Sequence, residues 1–346
     1  MKALMKTRKG YGHVSLEDVP EPQATGDLVK IRVVYSGICG TDIHTFLGEY
    51  PGNTPPIILG HEWSGVIEAV GADVTSLSVG DRVTGETTFY ICGTCMFCKQ
   101  EEYNLCAHRK GIGTQVNGSF CNYLLAREAH VHKLPDSVSL LSAALSEPLA
   151  CCVHGCLEKT RIEKDDIVLV LGPGAIGLLS ALIAKAVGAT VILAGVADDT
   201  EKLSLARELG IDRIVNQETE DMAAVVAEMT GGFGVSKVFE CSGNVRALNV
   251  GLALAGRQAD IVQLGIFTKP MNEIDTSGFF PRELRYIGSR TQKPSSWRKT
   301  IALMASGAVV PERLVTRIIA LEEWESGFQT LMNRQGIKTV IQCSAE

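Results

Sequence analysis

Hydrophobic and polar positions follow two different patterns along this chain. From Lys30 to Thr84, short apolar and β-branched runs such as IRVVYSG and WSGVIEAV are separated by Gly, Pro and Asp turns, which is typical of β-rich structure. Between Asp166 and about Arg290, apolar strands alternate with helical stretches, as in DIVLVLG followed by AIGLLSALIAKAVGA. Alternating strands and helices predict βαβ units around a parallel sheet. The chain is therefore predicted to combine a β-rich domain with an α/β domain.

The α/β segment contains enough candidate strands for a six-stranded dinucleotide-binding fold. The last 50 or so residues lose the strict alternation and carry a helix-like stretch, SSWRKTIALMASG, followed by strand-like runs. We expect these residues to return to the first domain. The predicted domains are residues 1–155, 156–290 and 291–346. Beyond DIVLVLG and TVILAG, strands are predicted at Arg213–Asn216, Lys237–Glu240, Asp260–Leu264 and Tyr286–Gly288.

Composition and charge narrow the class of protein. Of 346 residues, 45% are hydrophobic and 21% charged, with a formal net charge of -6, as in ordinary soluble globular proteins. No basic stripe is present to attract a phosphate backbone, so a nucleic-acid partner is not expected. The N-terminal MKALMKTRKG runs into polar sequence without an apolar stretch long enough for a signal peptide or a membrane span. We expect a cytoplasmic protein with no membrane partner.

The eleven cysteines are expected to be reduced thiols, because their number is odd and no secretion signal is visible. Four of them form the pattern Cys-x2-Cys-x2-Cys-x7-Cys over residues 92–106, in a segment with little hydrophobic content. A tetrahedral zinc ion would supply the missing core, since structural zinc sites are built from four thiolates at such spacings. An iron–sulfur cluster, scattered free thiols and disulfides are the alternatives. The four candidate zinc ligands are Cys92, Cys95, Cys98 and Cys106.

A glycine-rich turn, Gly172-Pro-Gly174-Ala-Ile176-Gly177, lies directly after the apolar run IVLVL and opens the next helix. In that context the glycines allow a tight turn, close approach of a pyrophosphate to backbone N–H groups and close packing of helix on strand. The helix N-terminus adds partial positive charge. A plain strand-to-helix turn is the alternative, but the context favours dinucleotide binding.

The choice between NAD and NADP depends on the end of the second strand, where an acid would hold the ribose hydroxyls. Gly195 stands there, and Asp198 and Asp199 follow within a few residues. Either aspartate could accept the hydroxyls and repel an added phosphate, or both could merely begin the next helix. Lys202 and Arg207 favour NADP instead. On balance the sequence favours NAD.

A second metal site is indicated by Cys39, in GICGTDIHTF, and by Gly60-His61-Glu62, which begins 21 residues later. Thiolate, imidazole and carboxylate together suit zinc. Glu147, in SEPLACCVHGC, is a further acidic candidate. Each residue alone has a structural explanation, as a buried thiol, a turn histidine or a helix cap, and their joint appearance with the other motifs favours the metal.

The motifs CGTDIH, GHEWSGVIEAVG, the four-cysteine segment, SEPLA and GPGAIG occur in the order of the zinc-containing medium-chain dehydrogenases. The chain resembles this family over its whole length, and within it the sorbitol and polyol dehydrogenases, with threonine dehydrogenase a close relative. The resemblance implies an α/β protein with a GroES-like β-rich catalytic domain, a Rossmann domain with a doubly wound parallel sheet, and a C-terminal return to the catalytic domain. It also suggests a homodimer or homotetramer.

Matched motif by motif, Cys39, His61 and Glu147 correspond to the family's catalytic zinc positions, and Glu62 to the glutamate that ligates zinc in polyol dehydrogenases. The sequence leaves open whether Glu62 or Glu147 binds directly. Gly195 departs from the aspartate usual in NAD-dependent members. The candidate cofactor-binding residues are Gly172, Gly174, Ile176, Gly177, Gly195, Asp198, Lys202, Leu264, Gly265, Ser289 and Arg290, the last of which could equally form a surface salt bridge.

The expected reaction is hydride transfer between a secondary alcohol, such as a polyol, a sugar alcohol or its phosphate, and NAD(P), giving the ketone. Zinc would lower the pKa of the bound alcohol, as it lowers that of water from about 16 to about 7. Thr41 would hydrogen-bond the reacting oxygen, and the resemblance to threonine dehydrogenase suggests that His44 continues the proton path. The alternative is that Thr41 and His44 only cap a short helix.

Two other functions stay open from the sequence. A threonine-like amino alcohol fits CGTDIH equally well as a substrate. A non-catalytic zinc-ribbon module would instead need a basic surface over residues 92–110. That segment balances Lys99, Arg109 and Lys110 with Glu101 and Glu102, which disfavours such a module.

Overall fold

The chain divides into two units, one of which is discontinuous in sequence. The computed structural model describes all residues from Met1 to Glu346. Met1–Glu147 and Gln292–Glu346 form the first unit, and Pro148–Thr291 forms the second. The first division therefore lies between Glu147 and Pro148, whereas the sequence analysis placed it after residue 155, within the π-helical segment His154–Lys159.

The regular elements are numbered here in chain order. The strands are β1 Lys2–Lys6, β2 Val14–Asp18, β3 Leu28–Gly37, β4 Ile57–Ile58, β5 Glu62–Val70, β6 Arg82–Gly85, β7 Thr88–Tyr90, β8 Lys110–Gly111, β9 Tyr123–Arg127, β10 Val131–Lys133, β11 Ile167–Leu171, β12 Thr190–Gly195, β13 Arg213–Asn216, β14 Val235–Glu240, β15 Ala255–Gln263, β16 Arg285–Gly288, β17 Val315–Ala320 and β18 Lys338–Gln342. The α-helices are α1 Gly40–Leu47, α2 Met96–Lys99, α3 Leu140–Ala144, α4 Ser146–Val153, α5 Ala175–Val187, α6 Thr200–Glu208, α7 Met222–Thr230, α8 Val245–Leu254, α9 Phe279–Arg282, α10 Pro294–Ala305 and α11 Trp324–Met332.

The first unit is built on a seven-stranded sheet in the order β10-β6-β5-β3-β18-β17, with β9 also paired to β3. β18 pairs antiparallel with β3, so the C-terminal segment completes the sheet begun by the N-terminal one. The long strand β3 is almost wholly buried. The core of the unit includes Ile31 and Val33 of β3, Trp63 of β5 and Phe328 of α11, which are at most 1% exposed.

The second unit is a six-stranded parallel sheet in the order β13-β12-β11-β14-β15-β16. Helices α5, α6, α7 and α8 lie between successive strands, as in βαβ crossovers. All six strands expected from the sequence are present, including the four short ones, and the α/β prediction is confirmed. The strand order reverses beside β11, and ligands of such sheets bind at the carboxyl ends of the strands at this point.

No helix in the structure combines the length and the apolar character needed to cross a membrane.

Candidate active site and cofactor site

The register of β3 and β5 brings Cys39 and His61 to the same end of the first unit's sheet. The two strands are antiparallel, with Gly37 opposite Glu62, so residues just beyond β3 lie beside residues just before β5. Gly60 has φ +87°, and a Cβ there would lie 2.6 Å from the Phe120 ring. Only glycine lets the chain turn into β5 at this point.

The ligand atoms of Cys39, His61 and Glu62 all lie within 4.8 Å of one another. His61 is 7% exposed and Glu62 1% exposed. His61 Nδ1 is buried without a hydrogen-bond partner, which is costly unless a ligand satisfies it. Sulfur, nitrogen and oxygen donors at this spacing fit a zinc ion.

Asp42 supports this cluster from the first turn of α1. Its carboxylate accepts a hydrogen bond from the Cys39 amide at 2.9 Å, and Oδ1 lies 3.8 Å from His61 Nδ1. Burial lowers the pKa of His61, but Asp42, Cys39 and Glu147 outweigh it and raise that pKa well above its usual value. The surroundings of His61 are therefore strongly negative and suit a cation. Sequence reasoning missed Asp42, although its place three residues after Cys39 is a capping-box signal.

Lys338, in β18, is a second residue that the sequence analysis missed. Its ammonium forms an ion pair with Glu62 and donates a hydrogen bond to the Ile38 carbonyl at 3.0 Å. Gly37 makes room for the pair, because a Cβ there would lie 2.9 Å from Lys338 Cε. No local signal could have revealed this contact, since Lys338 lies about 300 residues from Ile38 along the chain.

Glu147 lies outside the group of three closely spaced ligand atoms, although it is buried. Its Oε1 accepts a hydrogen bond at 2.9 Å from Gln292 Nε2, which is also 3.3 Å from Thr87 Oγ1. The negative charge of Glu147 is among those that raise the pKa of His61. Glu147 thus belongs to the electrostatic surroundings of the cluster.

Thr41 and His44 both lie on α1. The Thr41 hydroxyl oxygen is 3.7 Å from Cys39 Sγ, which places it at the cluster. His44 is one turn further on, and its Nδ1 is 2.8 Å from a carboxylate oxygen of Glu49. The imidazole of His44 is 38% exposed and its partner 58%, so this pair reaches solvent. The carboxylate partner was not foreseen from the sequence.

The four cysteines of residues 92–106 converge as their spacing predicts. Their sulfur atoms lie within 4.8 Å of one another. Neighbouring pairs are 3.5 to 3.8 Å apart, too far for a disulfide bond, and all four are free thiols. The Cys98 amide donates to Cys95 Sγ at 3.4 Å, which is the knuckle geometry of a thiolate site.

Electrostatics in this lobe also favour a cation. Backbone N–H groups of Thr94 and Cys95 lower the pKa of Cys92 to about 5, whereas burial and the neighbouring sulfurs raise that of Cys98 to about 12. Thiols that oppose one another's ionisation in this way are brought to the thiolate form together by a metal ion. Met96 is 63% exposed and Leu105 39%, so the lobe has little apolar core of its own.

In the second unit the three glycines of the β11–α5 turn differ in the space around them. Gly172 has φ +99°, and a Cβ there would collide with the Ser242 backbone. A Cβ on Gly174 would meet nothing within 4 Å, so the helix entrance is open. A Cβ on Gly177 would lie 1.9 Å from the Gly172 carbonyl oxygen, so α5 packs directly on the turn. The arrangement suits a pyrophosphate at the N-terminus of α5.

The lengthened turn after β12 explains Gly195. A Cβ at this position would lie 3.1 to 3.2 Å from Leu203, Pro173 and Asp199, because the turn folds back over it. Asp199 is paired with Lys202 at 2.8 Å and accepts from the Val196 amide at 3.3 Å. Asp198 is exposed at the tip of the turn.

The remaining cofactor candidates also follow the carboxyl ends of strands. Leu264 and Gly265 come after β15, and both amides donate to the Glu240 carbonyl at 2.9 Å. Ser289 and Arg290 come after β16, and Ser289 Oγ is buried without a hydrogen-bond partner. Ile176 is in the first turn of α5. The predicted residues therefore gather on one edge of the second unit's sheet.

Two known protein families match this chain, one mainly in each of its two units. The family described as alcohol dehydrogenase GroES-like domain matches residues 25–136, and the family described as zinc-binding dehydrogenase matches residues 175–306. The chain belongs to the zinc-containing medium-chain alcohol dehydrogenases. It is an oxidoreductase that uses zinc and a nicotinamide dinucleotide to transfer hydride to or from an alcohol, and the predicted family, fold and enzyme class are confirmed.

Several relatives match this dehydrogenase over nearly its whole length. D-arabitol-phosphate dehydrogenase of Enterococcus avium is 49% identical, covering 100% of this chain and 98% of that protein. Sorbitol dehydrogenase of Halalkalibacterium halodurans is 43% identical, covering 99% of each. L-threonine 3-dehydrogenase of Bacillus velezensis is 31% identical, covering 99% and 98%. A crystal structure described as a zinc-binding dehydrogenase of Sinorhizobium meliloti 1021 bound to NADP has a TM-score of 0.90 and 32% identity, covering 99% and 98%.

Proposed function

We propose that this dehydrogenase oxidises a secondary hydroxyl group of a polyol or polyol phosphate to the ketone, with NAD as the hydride acceptor. The observation that carries the proposal is the full-length identity of 49% and 43% to the arabitol-phosphate and sorbitol dehydrogenases. The two buried carboxylates Glu62 and Glu147 support it, because polar surroundings of the metal suit a substrate with many hydroxyl groups.

Cys39, His61 and Glu62 would hold the catalytic zinc ion, with Glu147 as a further candidate ligand. Zinc, when bound, supplies Lewis acidity that lowers the pKa of the alcohol. Asp42 accepts a hydrogen bond from the Cys39 amide and lies beside His61, as carboxylates commonly support metal ligands from outside the coordination sphere. Lys338 holds one face of the Glu62 carboxylate, and Gln292 holds Oε1 of Glu147. These contacts support direct binding by Glu62 and an outer position for Glu147.

The proton released from the alcohol needs a route to solvent. Thr41, close to Cys39 Sγ, would accept it at its hydroxyl oxygen and donate its own proton onward. His44 is the next imidazole on α1, and its Nδ1 lies 2.8 Å from a carboxylate oxygen of Glu49. The partial exposure of the His44–Glu49 pair supports its role as the exit.

Cys92, Cys95, Cys98 and Cys106 would hold the structural zinc ion. Four thiolates close the coordination sphere and leave no position for substrate. The few buried apolar side chains in this lobe support the view that the ion replaces a hydrophobic core.

The charges after β12 support NAD over NADP. Two backbone N–H groups that could bind a ribose phosphate are occupied by the protein's own carboxylates, since Val196 donates to Asp199 and Ala197 donates to Glu218 at 3.4 Å. Lys202 is neutralised by Asp199. Asp198 would accept the ribose hydroxyls and repel a phosphate at that place. Calorimetric titration should show NAD binding at least 10-fold more tightly than NADP, and Asp198→Asn should narrow the gap.

The substrate is tested by initial rates on free polyols, their phosphates and L-threonine, each with NAD and with NADP. We expect the highest kcat/KM on a polyol or polyol phosphate with NAD, and loss of activity when zinc is removed by a chelator. Activity confined to L-threonine would overturn the proposal in favour of an amino-alcohol substrate.

We also propose a cytoplasmic homodimer or homotetramer. Eleven free thiols suit a reducing compartment. The outer strand β16 leaves a sheet edge unpaired within the chain, and such edges are commonly covered by another copy. Light scattering of the purified protein tests the assembly, and a monomer at micromolar concentration would contradict it.

A further inference from the structure

We propose that the buried carboxylate of Glu240 sets the relative affinity of this dehydrogenase for the oxidised and reduced forms of its nicotinamide cofactor. The oxidised nicotinamide ring carries a positive charge that the reduced ring lacks. A fixed negative charge on that side of the fold therefore favours NAD+ over NADH. The inference needs only the dinucleotide and does not depend on which alcohol is the substrate.

Glu240 is the last residue of β14, and its side chain is completely buried. Its Oε1 accepts hydrogen bonds from the Ser242 amide at 2.8 Å and from the Ser242 hydroxyl. Its Oε2 accepts a hydrogen bond from the Gly243 amide at 3.2 Å. All three donors are neutral groups, so they solvate the negative charge of the carboxylate without cancelling it.

The charge of Glu240 acts on the outer strand of the same sheet. Burial raises the pKa of the Tyr286 hydroxyl in β16, and the negative charge of Glu240 raises it further. Asp260, in β15, is also completely buried, but it forms ion pairs with Lys237 at 2.8 Å and Arg285 at 2.5 Å. Asp260 is therefore neutralised by cations, whereas Glu240 is held by neutral hydrogen-bond donors.

Glu240 lies between the turns that form the cofactor edge of the second unit. A Cβ on Gly265, just after β15, would lie 2.5 Å from Glu240 Oε2. The turn after β14, which the carboxylate holds through Ser242, packs against the pyrophosphate turn, because a Cβ on Gly172 would lie 2.9 Å from Ser242 Cβ. One carboxylate thus contacts the turns that follow two neighbouring strands, and one of these turns supports the glycine-rich turn.

The position of β14 in the sheet indicates which half of the cofactor is affected. The adenosine ribose is expected at the end of β12, on one side of the point where the strand order reverses. β14 and β15 lie on the other side of that point, where the second mononucleotide half binds in folds of this kind. The nicotinamide half is therefore expected at the turns that Glu240 contacts. In a protein interior, a unit charge still acts over the distance of several side chains.

The test measures equilibrium binding of NAD+ by calorimetry and of NADH by its fluorescence, using the zinc-loaded enzyme. The quantity compared is the Kd for NADH divided by the Kd for NAD+. Glu240→Gln should lower this ratio by about 5- to 20-fold, as for loss of one unit charge near a charged group in a protein interior. Disturbance of the turns alone would weaken both forms equally, so an unchanged ratio in Glu240→Gln would overturn the inference.

Asp260→Asn is the matched control, because it removes a buried carboxylate from the same sheet whose charge is already paired. It should lower the stability of the protein and leave the ratio of the two dissociation constants unchanged. If Asp260→Asn lowered the ratio as much as Glu240→Gln, any loss of a buried carboxylate would have the same effect, and the specific role of Glu240 would be wrong.

Two further variants decide the question if Glu240→Gln does not fold. Glu240→Asp keeps the charge on a shorter side chain, and Ser242→Ala keeps the carboxylate but removes one of its hydrogen bonds. Both should bind the two cofactor forms more weakly and keep the ratio within about 2-fold of the wild-type value. A larger change of the ratio in both variants would show that turn geometry, and not charge, sets the preference. No alcohol is present in these measurements, so failure of the proposed polyol substrate would leave their outcome unaffected.

Discussion

Among single residues, Lys338 is the buried cation that balances negative charge at the active site. Its ammonium and the Glu62 carboxylate are both buried, at 5% and 1% side-chain exposure. Burial lowers the pKa of Lys338, but the negative charges of Glu62, Cys39 and Glu147 raise it by more than burial lowers it. The pKa therefore lies above its usual value, and the ammonium stays charged. Lys338 thus offsets negative charge that would otherwise accumulate beside the metal ligands.

Lys338→Met should therefore destabilise the metal-free protein by about 3 to 5 kcal/mol, because it leaves Glu62 as an unpaired buried charge. Bound zinc would compensate much of that charge, so the loss should be smaller in the zinc-loaded protein. Urea unfolding with and without zinc measures both values. Lys2→Met, which removes an exposed ion pair with Asp18, is the control and should cost little. An equal loss in both metal states would contradict this role of Lys338.

Asp42 acts on the metal through Cys39 and His61. Asp42→Asn keeps a group that can accept the Cys39 amide hydrogen bond but removes the negative charge beside His61. We expect the affinity of the catalytic site for zinc to fall by about 10- to 100-fold, as for other supporting carboxylates. Competition with a chelator measures this affinity. Unchanged release of the catalytic zinc would show that Asp42 serves only as a cap of α1.

At the level of elements, the β11–α5 turn and the β12–α6 turn differ in what determines their conformation. The conformation of the first turn depends on three glycines within it, and their spacing in the sequence indicates their roles. The second depends on packing, because Pro173 of the neighbouring turn and Leu203 of α6 fill the space beside Gly195. An acidic side chain has no room at Gly195. We therefore expect a carboxylate of the longer turn to bind the ribose hydroxyls.

Gly174→Ala and Gly177→Ala form a matched pair that separates cofactor binding from packing. The added methyl group at Gly174 meets open space, so stability should be nearly unchanged while NAD affinity falls, because the methyl blocks approach of the pyrophosphate. At Gly177 the methyl collides with the Gly172 carbonyl, and stability should fall by about 1 to 3 kcal/mol. Thermal unfolding and NAD titration measure both. If Gly174→Ala bound NAD normally, the pyrophosphate site would have to lie elsewhere.

For the molecule as a whole, a buried carboxylate contributes a pH-dependent part of the stability. Glu86 lies between His130 and His132, with His130 Nδ1 3.1 Å from its Oε2 and His132 Nε2 3.3 Å from its Oε1. Burial raises the pKa of Glu86, but the two histidines outweigh burial and lower it below 4.5. Since the folded pKa is the lower one, ionised Glu86 stabilises the fold at neutral pH and loses this effect as pH falls below 4.5.

Glu86→Gln should reduce stability at pH 7 by about 1 to 3 kcal/mol, the cost of weakening buried hydrogen bonds to charged groups. The variant should approach the wild type as pH falls from 4.5 through the lowered pKa of Glu86, because the wild-type carboxylate becomes protonated over that interval. Urea unfolding at several pH values between about 3 and 7 tests this. A difference that stays constant down to the lower end of that range would contradict it.

Much of the fold and part of the site could be predicted from the sequence. The period of the apolar positions identified the six strands of the second unit, because each strand is short, buried and followed by a helix or a turn. The cysteine spacing indicated the lobe, and the glycine spacing indicated the pyrophosphate turn, because backbone geometry links residues so close in sequence. Cys39, His61, Glu62 and Glu147 were grouped as candidate ligands by their residue types and by family resemblance, and the sequence left open which of the two glutamates binds directly.

What the sequence by itself determined is local, namely which residues form strands, turns and ligand-rich segments. Only the tertiary structure decided that Lys338 meets Glu62 and that Gln292 meets Glu147. These contacts join residues 276 and 145 positions apart, and strand register and sheet order decide such pairings. The charge of the active site is therefore a property of the folded sheet and not of any one motif.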